Sequence, residues 1–180
     1  LDLYITGTDI STNSSIVFSY ETTPMMEVAM AVRISMSIPL YFESIKIDAN
    51  KSNSSETHIF SDGGVMINYP MRIFDSLRFD DIHIDGTNIQ TLGLRFISKY
   101  SYSKIDNLVE YIQNLIHTLL KVQQDLFEKS LKDKVRSIQI DTDDISSTDF
   151  NIETNDKKFK FLFNQGYVAT EDYFTKRQRL

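Results

Sequence analysis

"IFSDGGVMINYP", residues 59–70, places two of the chain's six glycines side by side, behind an aspartate and after a short apolar run. An apolar strand that ends in Asp-Gly-Gly delivers a carboxylate, here Asp62, at its C-terminal edge. Gly63 and Gly64 then let the backbone turn sharply and approach neighbouring groups without Cβ clashes. Such tripeptides also punctuate ordinary turns, so the meaning of Asp62 depends on its surroundings. Asn68 and Pro70 follow at fixed offsets, and upstream stands a helical pattern ending "AVRISMSIPLYF", residues 31–42.

Outward from this stretch, helical and strand patterns alternate. "LDLYITGT" and "SSIVFSY" are β-rich runs separated by a Thr/Asn/Ser turn. "TPMMEVAMAVRISMSI", residues 23–38, predicts a helix with Thr23 as N-cap and Pro24 in the first turn, ended by Pro39. "YFESIKID" and "THIFSD" predict strands around the polar loop 49–56. "IQTLGLRFI", residues 89–97, is a nearly continuous apolar run of the kind buried on both faces of a sheet. The longest helix is expected over about residues 103 to 130. There Ile105, Leu108, Val109, Ile112, Leu115, Ile116, Leu119 and Leu120 recur at helical spacing, a stripe that reads as core packing. "VRSIQIDT" predicts one more strand, and helical segments follow near 156–165 and 169–177. With no internal repeat and no Pro/Gly linker, one α/β unit is the economical expectation.

Composition excludes several function classes. The 180 residues hold 19 Lys+Arg against 25 Asp+Glu, a net charge of −6, so there is no basic footprint for nucleic-acid phosphate. Zero cysteines exclude a disulfide framework and thiolate metal sites, and fit a reducing, cytoplasmic compartment. The Asn50-Lys51-Ser52 sequon then reads as a chance match. No apolar run approaches the roughly 20 residues needed to span a bilayer, and no basic-then-apolar leader opens the chain, which reads as soluble. The first residue is Leu, and the strand-like run begins at once, which suggests that a segment upstream is missing.

The motif residues resemble the patatin-like phospholipases and acyl hydrolases. Asp62, Gly63, Gly64, Asn68 and Pro70 match that family's second catalytic motif in its extended form D-G-G-x-x-x-N-x-P. Ala31, Ser35, Pro39 and Phe42 match the preceding helix end, with Ile34 and Ser37 in place of small residues. Thr8 and Asp9 in "ITGTDI" resemble the family strand that usually ends Ala-Thr-Asp, and "TLGLRF", residues 91–96, resembles the strand after the motif. The likeness covers residues 1 to about 98. It implies an α/β fold, a patatin-like sheet flanked by helices and incomplete in this chain. Residues 1–98 would be the C-terminal part of a patatin-like domain, and 99–180 a helical and strand continuation of the same unit.

The resemblance also implies chemistry: a serine in G-x-S-x-G attacks an ester carbonyl, and Asp62 accepts its proton without an intervening histidine. Asn68 would hold the loop after the strand. No two of Gly7, Gly63, Gly64, Gly86, Gly93 and Gly166 can form G-x-S-x-G, so the nucleophile and the family's glycine-rich oxyanion segment are absent from these residues. Ser35 and Ser37 near a helix end read as packing and helix-end hydrogen-bonding groups. The implied substrate is a lipid or lipid-like acyl ester met through transient membrane-surface contact, with no cofactor, no metal and no nucleic-acid partner. The alternative is a non-catalytic patatin-like binding module.

Other constellations are weaker. Alternation along a strand would put Asp81, His83 and Asp85 of "DDIHIDG" on one face, as a metal cluster with Asp80 nearby, but such a run before Gly86 more often forms a solvated edge and turn. His58 stands alone, and His117 lies beside the apolar stripe as a boundary residue. The terminal "KRQRL", residues 176–180, offers cations to an anionic membrane surface, or ends a solvated helix where cations suit the dipole.

Overall fold

The computed structural model describes residues 2–48, 56–76, 78–79, 81–99, 102–146 and 148–177. Its packing divides the chain into two compact units, Leu1–Pro70 with Lys104–Leu126, and Met71–Ser103 with Phe127–Leu180, so each draws on both sides of residue 98.

The first unit is built on an antiparallel sheet. Strands β1 (Ile5–Asp9) and β2 (Ser14–Phe18) form a hairpin in register Ile5↔Phe18 to Asp9↔Ser14. Its turn is held by Asp9, whose Oδ1 accepts the Ser11 and Thr12 N–H groups at 2.9 and 3.3 Å. Helix α1 (Val28–Ser35) follows, then β3 (Ile45–Asp48) and β4 (Thr57–Asp62), giving the strand order β2-β1-β4-β3. A one-turn helix α2 (Gly64–Ile67) leaves β4 directly, and α3 (Leu108–Glu128) completes the unit apart from its last two residues. The apolar alternation of the strands and the i, i+3 pair Ala31 and Ile34 of α1 meet in one core with Phe18, Ile45 and Phe60. Phe18 and Phe60 pack edge to face at 6.2 Å.

Two expectations for this unit change. The first helix begins at Val28 and not at Thr23, because the Thr23 hydroxyl is already engaged: its Oγ1 accepts the Ser19 N–H at 3.2 Å, and Thr23 O accepts the Met26 N–H in a separate turn. Glu27 stands at the N-cap without a side-chain bond. The long helix begins at Leu108, where Asn107 Oδ1 accepts the Glu110 N–H at 3.0 Å and Glu110 Oε2 takes the Asp106 N–H at 2.7 Å. Its apolar stripe is not a buried core face in this chain: Ile105, Leu108, Val109, Leu115 and Leu119 are exposed, and Ile112, Ile116 and Leu120 are half-buried.

A 3-10 turn (Pro70–Asp75) leads from Pro70 into the second unit, followed by a two-residue hairpin, β5 (His83–Ile84) with β6 (Thr87–Asn88), whose corner places Asp85 and Gly86 at φ 50 and 71. Strand β7 (Gly93–Ile97) runs parallel to β8 (Ser137–Asp141), in register Gly93↔Ser137 to Ile97↔Asp141. Short helix α4 (Leu131–Lys134) leads into β8, and α5 (Lys157–Arg177) packs on it. The expected fully buried strand 89–97 is not buried on both faces: Leu94 and Phe96, which share one face, are 60% and 71% exposed. The two expected C-terminal helices are one, running through Gly166 without a break.

A charged network fixes the second unit. Arg136, 3% exposed, donates from Nη2 to Asp75 Oδ2 at 2.7 Å and to Asp133 Oδ1 at 2.8 Å, while Arg72 donates from Nη2 to Asp133 Oδ2 at 2.6 Å. Burial pushes both carboxyls up, but the guanidinium hydrogen bonds outweigh it and hold Asp75 and Asp133 below the ordinary 3.8.

Most of the polar loop 49–56, Asp80 and the terminal residues 178–180 lie outside the described residues, so the sequon and most of "KRQRL" do too. Among the described residues no helix is long and apolar enough to cross a membrane.

Candidate active site

Asp62 is the last residue of β4, where the antiparallel pairing with β1 ends at Gly7↔Asp62. Its backbone is held from two sides. The Asp62 N–H donates to Ser37 O at 3.0 Å, and the Thr8 hydroxyl donates to Asp62 O at 2.9 Å. Ser61, fully buried beside it, donates its hydroxyl to the same Ser37 carbonyl at 2.9 Å. A carboxylate anchored in this way has little freedom beyond its own χ angles.

The turn that follows shows why both glycines stand there. Gly63 has φ −62 and ψ −28, an ordinary helical conformation, and Gly64 is likewise not at positive φ. The requirement is space. A Cβ on Gly63 would collide with the carbonyl and hydroxyl oxygens of Thr6, and one on Gly64 would come within 2.7 Å of Asp62 Oδ1 and 2.9 Å of Asn68 Oδ1. With no Cβ in the way, the Gly64 N–H turns back and donates to Asp62 Oδ1 at 2.5 Å.

This geometry divides the work of the two carboxylate oxygens. Oδ1 is occupied by the Gly64 amide, whereas Oδ2 has no partner among the described residues. The site is half-buried, and burial pushes the Asp62 carboxyl above its ordinary 3.8 against the opposing Gly64 hydrogen bond. Among the described residues no cation contributes to that shift.

The other residues singled out in the sequence are placed elsewhere. Asn68 is the C-cap of α2, and its N–H donates to Gln123 Oε1 at 2.9 Å; Pro70 opens the next turn. Ser37 is buried and donates its hydroxyl to Arg33 O at 2.7 Å, while Ser35 closes α1. His58 lies on the same face of β4 as Asp62 but about 13 Å along the strand at ~3.3 Å per residue. There its Nδ1 donates to Asp9 Oδ2 at 2.6 Å. Burial pushes Asp9 up, yet the bonds from His58, Thr12 and Ser11 prevail and hold its carboxyl below 3.8. His117 is exposed on α3.

The Asp81, His83 and Asp85 alternation does not form a metal cluster. Asp81 precedes the two-residue strand and accepts the Asn88 side-chain N–H at 2.8 Å, and Asp85 sits in the corner. No three His, Asp or Glu side chains among the described residues could hold a metal ion. The residue that sequence reasoning missed is Gln123, which reaches the Asp62 turn from α3. Its polar place among the apolar positions of that helix carries no signal that would have singled it out.

Residues 2–75 match the family model of the patatin-like phospholipases. The uncharacterized protein R571 of Acanthamoeba polyphaga mimivirus is 28% identical over 169 residues, covering 89% of this chain and 50% of that protein. A probable lipid hydrolase, 463L of Invertebrate iridescent virus 6, is 39% identical over 57 residues, 32% of this chain and 17% of its own length. The crystal structure of VipD from Legionella pneumophila superposes on 97% of the chain and 31% of its own, with a TM-score of 0.54 and 18% identity, a likeness of fold. The chain therefore spans about half the length of one curated relative and less of the other. Over residues 2–75, the stretch that builds the Asp62 turn, this chain is similar to the patatin-like phospholipases.

Proposed function

We propose that this chain is the aspartate-bearing part of a patatin-like acyl hydrolase that acts on ester bonds of lipids, with Asp62 as proton acceptor and the serine nucleophile supplied from outside these 180 residues. The observation that carries the reading is the asymmetry of Asp62: one carboxylate oxygen fixed by the Gly64 amide, the other unengaged, in a half-buried site that raises its basicity. A general base needs those properties. Support also comes from the family match over residues 2–75 and from the relative described as a probable lipid hydrolase.

In this mechanism a serine hydroxyl passes its proton to Asp62 Oδ2 as its oxygen attacks the ester carbonyl. The proton then goes to the departing alcohol, leaving an acyl-serine. Water repeats the cycle: Asp62 accepts its proton, and as the second tetrahedral species collapses that proton passes to the serine oxygen, releasing the fatty acid and restoring the serine hydroxyl and the carboxylate. Neither step routes through a metal. Chelator therefore leaves fatty-acid release from mixed phospholipid vesicles unchanged; abolition by chelator would send attention back to metal chemistry.

The test is Asp62→Asn in the complete protein that carries the serine. The amide keeps the size and the Gly64 contact but cannot take the proton, so turnover falls by about 10²- to 10⁴-fold. A variant that keeps half its activity would place the base elsewhere and leave Asp62-Gly63-Gly64 as a turn alone. Fast cleavage of small water-soluble esters with no fatty acid released from any lipid would remove the lipid substrate and keep the dyad.

A further inference from the structure

The short helix after Asp62 cannot stand by itself. Helix α2 is four residues long, far below the length at which an isolated helix persists in water. Yet it holds the Gly64 amide against Asp62 Oδ1. It is seated against β1 and β2 and is hydrogen-bonded by one side chain from α3, more than fifty residues further along the chain.

Gln123 makes three hydrogen bonds to this turn. Its Oε1 accepts the Asn68 N–H at 2.9 Å, and its Nε2 donates to Gly64 O and to Val65 O, each at 3.2 Å. The orientation of the carboxamide follows from its partners, since an N–H faces an oxygen and two carbonyls face an NH₂. The amide thus stands between the N–H of Asn68 and the C=O of Gly64, the pair that a regular helix would join directly as residues i and i−4. The same Gly64 whose N–H orients Asp62 has its carbonyl fixed by Gln123.

The geometry points to Gln123 as a positioning residue for the Asp62 base: α3 holds the Asp-Gly-Gly turn in its productive form through this carboxamide. The inference rests on the assignment of Asp62 as proton acceptor. Without the clamp the Gly64 peptide swings, the Oδ1 hydrogen bond lengthens, and the carboxylate no longer presents Oδ2 in a fixed direction. Misplacement of a reacting group by about 1 Å costs up to ~10²-fold in rate, without weakening substrate binding.

The test uses the complete protein, with its serine, and a chromogenic short-chain ester. Gln123→Met keeps the length and removes all three bonds. We expect kcat to fall about 10- to 100-fold with KM within about twofold. The acid limb of the kcat profile moves to higher pH, because the ionised form of Asp62 loses the Gly64 N–H. Gln123→Glu keeps the acceptor for Asn68 but removes both donors, and it gives a loss in the same direction if the Met variant does not fold. Coupling supplies the decisive arm: Asp62→Asn combined with Gln123→Met loses no more than Asp62→Asn alone. A folded Gln123→Met with unchanged kcat, a loss confined to KM, or losses that multiply in the double variant would overturn the role of Gln123 while leaving Asp62 in place. An active Asp62→Asn would overturn the base and this role together.

Discussion

At the scale of the residue, Asp62 is held in a state that costs stability. Burial raises its folded-state pKa above the unfolded 3.8, so the folded chain binds the proton more tightly than the unfolded chain. The sign follows: this group's contribution is most favourable below pH 3.8 and is lost as pH rises through the folded value. Asp62→Asn therefore raises the melting temperature at pH 7, and the gain disappears in melts run below pH 3.8. A variant that melts lower at neutral pH would show that the carboxylate is a stabilising group and not one poised for proton transfer. The neighbouring Gly63 tests space. Its missing Cβ leaves room for the Thr6 carbonyl and hydroxyl, so Gly63→Ala is expected to cost about 1–3 kcal/mol in urea unfolding. An unchanged midpoint would mean that β1 and the turn are free to part.

At the scale of the element, the helices differ in what they bury. Helix α1 is short and has no side-chain cap, so its stability comes from seating Ala31 and Ile34 on β1 and β4. Ile34 is 0% exposed, and Ile34→Ala should cost about 2–5 kcal/mol by chemical denaturation. Helix α3 presents the opposite case. Leu119 is exposed in this chain, so Leu119→Lys should change stability by no more than about 0.5 kcal/mol in the 180-residue protein. A large loss there would show that the apolar stripe packs where the structure leaves it uncovered. The heptad-like pattern of α3 was legible as a helix because periodicity reports backbone conformation. What covers a helix face depends on which other elements reach it, and periodicity carries no information about that.

At the scale of the molecule, the second unit carries carboxyls shifted in the direction opposite to Asp62. Asp75 and Asp133 in the second unit lie below 3.8, so their contribution is present above that pH and is lost as pH falls through their folded values. Arg136 binds both. Arg136→Ala is expected to destabilise by about 3–5 kcal/mol at pH 7, because it leaves two carboxylates with a shared buried partner removed. The deficit shrinks as the buffer is taken below pH 3.8 and the carboxylates become neutral. A deficit independent of pH would assign the loss to packing of the guanidinium stem alone.

The sequence by itself determined the α/β class, the strands around the Asp62 turn and the place of Asp62 at a strand end, because alternation, β-branched runs and an Asp-Gly-Gly stop are local properties of the chain. Thr23 shows where local reading fails: its hydroxyl is a good cap, but Ser19 claims it first, and that competition is settled by the fold of a turn. Glycine identity announced a special turn, but only the tertiary structure showed that Gly63 and Gly64 serve close approach to Thr6, Asp62 and Asn68 and not an unusual φ. Gln123 is the sharper example. Nothing in its neighbourhood marks it, since its partners Gly64, Val65 and Asn68 stand more than fifty residues away in sequence, and a contact of that separation exists only once the elements between have packed.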